Sequence, residues 1–152
     1  MDQIDPAQAQ RVWQRVKSGD AASAEVRALP RLLALESEAW YTYTYLAKNT
    51  PLRDSRLLAQ LRDQSQSQFH ALAGLHLLTT GSRLPQNPQP NLRGNAEGLL
   101  RLCWRNRQQA LALLEKAQVP PEFAFLLPLL RDRTREHCRM LLELLGWLSR
   151  QT

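Results

Sequence analysis

In this 152-residue sequence Glu36, His70 and His137 interrupt helical stripes with side chains of types that could hold a metal ion. Two imidazoles and one carboxylate are the ligand set of a mononuclear redox centre, and a single iron, manganese or zinc ion is what such a set takes. Around them stand a phenol and two short hydroxyls, Tyr43, Ser67 and Thr134, with one thiol, Cys103. All four can hydrogen-bond, and the thiol can add a thiolate ligand. With no metal, the same residues make a polar pocket inside the core, where each buried group needs a partner among the others. The sequence contains no catalytic triad, no phosphate-binding glycine loop and no paired acid–base carboxylate motif.

Helices have to position these residues. Val occurs only at 12, 16, 26 and 119 and Ile only at 4, so the β-branched residues that favour strands are nearly absent. Punctuation divides the chain into a short N-terminal helix from Pro6 to about Lys17 and four longer blocks. These run over about 21–48, 54–78, 96–118 and 122–150. Pro30 starts or kinks the first long block, and Pro128 is expected to bend the last. Links near 49–53 and 117–121 are short and force the helices they join to lie antiparallel. Residues 81–95, GSRLPQNPQPNLRGN, form an irregular connection. Its roughly 15 residues reach about 50 Å at about 3.3 Å each, enough to travel the length of a bundle. Apolar stripes recur at helical spacing: Leu29, Leu33, Glu36, Trp40, Tyr43 and Ala47 on the first, and Leu127, Leu130, Thr134, His137, Leu141, Leu144 and Leu148 on the last. On the second, Asp63, Ser67, His70, Gly74 and Leu77 share a face; on the third, Leu99, Cys103, Ala110 and Leu113 do.

Composition limits the classes of function. Hydrophobic residues are 43% and charged residues 22%, a globular balance, with a net charge of +6 carried mostly by arginine. Cys103 and Cys138 lack CxxC spacing, which argues against a zinc ribbon, a thioredoxin motif or a disulfide framework and for a reducing, cytoplasmic setting. No apolar run approaches the roughly 20 residues of a membrane helix, and the polar N-terminus lacks the apolar stretch expected of a signal peptide.

The segment Glu36-Ser37-Glu38-Ala39-Trp40-Tyr41-Thr42-Tyr43 resembles the first helix of rubrerythrins, members of the ferritin-like di-iron superfamily, whose motif there is Glu-x6-Tyr. Glu36 and Tyr43 have that spacing, and Glu38 and Tyr45 repeat it on another face. The family's Glu-x-x-His windows correspond to Ser67-Gln68-Phe69-His70 and Thr134-Arg135-Glu136-His137. The resemblance covers about residues 30–150. It implies an all-α fold, a ferritin-like four-helix bundle of two antiparallel hairpins joined by a long crossover, over 21–152. The N-terminal helix and linker of 1–20 are extra. It implies di-iron peroxidase or oxidoreductase ancestry, and dimerisation through helix faces.

The departures change the expected chemistry. A di-iron centre needs about four carboxylates with its two histidines, because carboxylates neutralise and bridge the cations. Here Ser67 and Thr134 replace two of them, and the third-helix glutamates fall near Leu99 and Leu102, with Glu97 turned away. The expectation is therefore a degenerate, non-enzymatic bundle with no cofactor, acting as a scaffold or association module. Its remnant pocket would hold Glu36, Tyr43, Ser67, His70, Cys103, Thr134 and His137. The alternative is one metal on Glu36, His70 and His137 with redox, peroxide or metal-handling activity. A second alternative uses the arginines Arg101/Arg105/Arg107 and Arg131/Arg133/Arg135/Arg139 as a ridge for nucleic acid or another polyanion. Asp132 and Glu136 among them favour a salt-bridged face instead. Trp13, beside Val12 and Val16, is read as pinning the N-terminal helix to the bundle or to a second subunit.

Overall fold

The structure, a computed structural model, describes residues 28–83 and 89–151. The expected N-terminal helix of 1–20 lies outside the described residues. Among those described there are four long helices and no strands: α1 (Leu29–Asn49), α2 (Arg56–Thr80), α3 (Ala96–Lys116) and α4 (Leu126–Arg150), with 3-10 turns at Pro51–Asp54 and Pro121–Phe123. None is long and apolar enough to cross a membrane.

Local chemistry sets the ends. Pro30 sits in the first turn of α1, where a missing N–H costs nothing, so it starts the helix rather than kinking it. Thr50 accepts from the Leu52 N–H and turns the chain into the 3-10 segment. Ser55 caps α2 by accepting from Leu58 at 3.2 Å. Gly81 closes that helix in the left-handed conformation, φ 73°, which a side chain would strain. Asn95 caps α3, its Oδ1 accepting from the Gly98 N–H at 2.8 Å. Loss of that bond in Asn95→Ala is expected to cost about 1 kcal/mol. Urea unfolding of the variant checks this; an unchanged midpoint would mean the cap is not engaged. The last block begins later than its sequence suggests, because Pro121–Phe123 forms a separate 3-10 turn before Leu126.

Cross-helix bonds give the directions. Early α1 meets late α3 through Arg31 and Gln109, 3.2 Å apart. Arg131 on α4 donates to the Leu114 carbonyl of α3, while Gln108 meets Cys138 further along. Gln68 and Gln64 of α2 bond Thr134 and His137 of α4 in reversed order. Each neighbouring pair is therefore antiparallel, α2 and α3 run the same way, and the stretch between Gly81 and Asn95 joins opposite ends of the bundle.

The core is two apolar clusters with a polar layer between them. One holds Tyr43, Leu46, Leu58, Leu61, Leu100, Cys103 and Leu141; the other holds Leu32, Leu33, Leu35, Leu72, Leu75, Ala110 and Leu114. In α2 the buried positions are Leu58, Leu61, Ser65, Gln68, Leu72, Leu75 and Thr79, with His76 buried beside Leu75. This alternation of three and four is a bundle seam. It corrects the expected stripe: Ser67 and His70 lie on the exposed side. Two residues of helix turn a side chain about 200°, so facing Gln68 inward faces His70 outward.

Candidate functional site

The polar layer contains Glu36 from α1, Ser65 and Gln68 from α2, Arg107 from α3, and Thr134 and His137 from α4. Each occupies a seam position of its own helix, so bundle packing rather than local preference brings them together. Arg107 is 0% exposed and Glu36 is 1% exposed, and the Arg107 Nη1 donates to Glu36 Oε1 in a buried ion pair. Gln68 Nε2 donates to the same Glu36 oxygen at 3.0 Å and lies 3.1 Å from Thr134 Oγ1. The Thr134 hydroxyl donates its own hydrogen bond to the Leu130 carbonyl at 2.7 Å. His137 bonds Gln64 Oε1 at 2.8 Å through Nε2, which makes Nε2 the donor of a neutral ring.

Electrostatics follow from burial. Desolvation acts to lower the Arg107 pKa, but the Glu36 carboxylate, with Tyr43 and Cys103, more than offsets it and the guanidinium is held above its ordinary range. His137 is pushed down to about 3 by burial first, then by the positive charges of Arg107 and Arg133. Burial raises the Tyr43 phenol well above its usual value, with the electrostatic influence of Cys103 adding to it. The Cys103 thiol is pushed up to about 12 by burial, only partly countered by Arg107. His137, Tyr43 and Cys103 stay neutral at physiological pH, which leaves Cys103 a poor nucleophile. Several polar atoms of the layer, including Glu36 Oε2, Tyr43 Oη and Arg107 Nε and Nη2, have no hydrogen-bond partner.

The structure brings together four of the expected pocket residues near Arg107, namely Glu36, Tyr43, Thr134 and His137, and buries Cys103 in the adjoining apolar cluster. Ser67 and His70 are exposed, and His70 lines a surface groove that Glu36 also borders but His137 does not. The set Glu36, His70 and His137 is therefore not assembled. Among the described residues, no group of three or more His, Cys, Asp or Glu side chains could hold a metal ion. The donors present do not fit a di-iron centre either, since a guanidinium repels cations at the one carboxylate that remains. Leu99 is buried in the apolar cluster beside Cys103, and Leu102 is 49% exposed.

Residue-type reasoning missed Arg107, Gln68 and Gln64. The signal for the first two was their seam spacing: Cys103, Arg107, Ala110 and Leu114 in α3, and Leu61, Ser65, Gln68 and Leu72 in α2. The arginine ridge shrinks accordingly. Arg107 is internal, Arg131 donates to a carbonyl, Arg135 pairs with Asp132 and Glu115, and Arg139 with Glu136 and Glu143. Compared with known proteins, the chain matches no family model, no curated protein and no solved structure.

Proposed function

We propose that this chain is a ferritin-like bundle of rubrerythrin type in which an internal ion pair stands where metals would be, and that it acts as a non-catalytic scaffold or association module, as a homodimer. The extra N-terminal helix of 1–20 belongs to the same reading. The observation that carries it is the buried Arg107–Glu36 pair. A fixed guanidinium supplies the positive charge that a carboxylate in a low-dielectric core requires, without a metal. The spacing on α2 also supports it when the window is moved inward: Ser65-x-x-Gln68 takes the place of Glu-x-x-His, parallel to Thr134-x-x-His137 on α4. Both windows then keep the i, i+3 geometry while losing their carboxylates. With its thiols raised by burial and its carboxylate held by Arg107, the layer is suited to specifying how the helices pack.

Elemental analysis of protein purified without chelator tests the reading. The expected result is iron, manganese and zinc each far below one per chain. Stoichiometric metal that disappears in a His70→Ala/His137→Ala double variant would overturn it.

A further inference from the structure

Between α1 and α2 lies a surface groove of 580 Å³ that has Glu36 of the ion pair among its lining residues. Its walls include Leu33, Trp40 and Tyr41 from α1 and Phe69, Ala73 and Leu77 from α2. Leu77 is 41% exposed, and Trp40, Tyr41 and Phe69 are half-buried. Soluble surfaces seldom leave an aromatic, apolar trough of this kind uncovered.

The chain itself carries an occupant of matching chemistry and length. Residues 1–27 lie outside the described residues and join α1 at Ala28, five positions before Leu33 at one end of the groove. Within them, Val12, Trp13 and Val16 fall on one side if 6–17 is helical. Twelve helical residues span about 18 Å, and the stretch of α2 from Gln66 to Leu77 that lines the groove spans about 17 Å. The ten residues 18–27 reach about 33 Å, which suffices to fold the segment back over α1 in either direction.

We propose that residues 6–17 of the same chain dock in the α1–α2 groove, with Val12, Trp13 and Val16 against Trp40, Tyr41 and Phe69. The N-terminal segment is then an intramolecular cover for the bundle's apolar face, and its apolar stripe is not offered to a partner.

Hydroxyl-radical footprinting of the full chain, read by mass spectrometry, tests this. In Trp13→Asp, oxidation of Trp40, Tyr41 and Phe69 is expected to rise severalfold, while Phe125 and Trp147, which do not line the groove, keep their rates. Trp13→Phe keeps the protection of the parent chain. Where Trp13→Asp loses helical circular dichroism, the milder Trp13→Ser is read instead. Equal rates at the groove residues in parent and variant overturn the proposal. Protection that vanishes on dilution of the parent protein also overturns it, because the occupant is then a second copy.

Discussion

Replacing Arg107 with methionine destabilises the protein by about 3–5 kcal/mol, the cost of leaving a buried carboxylate without its cation. Glu36 has almost no contact with solvent, and its remaining donor is the Gln68 amide at 3.0 Å. An amide cannot replace a full charge in a low-dielectric interior. Glu36→Leu strands the guanidinium in the same way and costs a similar amount. The double variant Glu36→Leu/Arg107→Met behaves differently, because it removes both charges and both desolvation penalties. It is expected to be near neutral or to gain about 1–4 kcal/mol. Urea unfolding of the four proteins forms a double-mutant cycle. Single-variant costs below about 1 kcal/mol, or costs that simply add, would show that the pair does not hold the layer together. In a melting experiment the single variants shift by about 10 °C or more.

Acidification weakens the fold through His137. Burial, then Arg107 and Arg133, lowers its pKa from 6.5 to about 3 in the folded protein, with Glu136 opposing weakly. The folded state therefore stays unprotonated while the unfolded chain takes up a proton below pH 6.5. The stability from the neutral ring is complete above pH 6.5 and is lost progressively as the pH falls toward 3. The slope is about 1.4 kcal/mol per pH unit well inside that window. His137→Gln keeps an amide donor that can face Gln64 and removes the titration. Carboxylates titrate in the same range, so the informative quantity is the difference between the parent and His137→Gln. The parent should lose about 2 kcal/mol more than the variant between pH 7 and pH 4.5. Parallel curves would mean that the ring is solvated in the folded state.

Both predictions concern residues whose roles were unevenly legible. On α1 and α4 the stripes are dominated by leucine, so Glu36, Tyr43, Thr134 and His137 stand out as polar interruptions of an apolar face, and the structure buries all four. On α2 the seam residues Ser65, Gln68 and Thr79 are polar enough to hide the alternation of three and four. A histidine two residues away then draws the eye to the wrong face. Arg107 has seam spacing too, but arginine is almost never fully buried without a partner, and its partner is 71 residues away. Composition placed it with the surface arginines, and only Glu36 across the bundle makes its burial tolerable.

The helical class, the helix breaks at Thr50-Pro51, Gly81, Asn95 and Pro120-Pro121, and the polar interruptions of two stripes can be read from residue order alone. Those follow from backbone and side-chain chemistry acting within a few residues. The tertiary structure decided which face of α2 turns inward and that Arg107 meets Glu36. Helix rotation and level depend on how four stripes pack at once, and a charge is buried or solvated according to what the other three helices place opposite it.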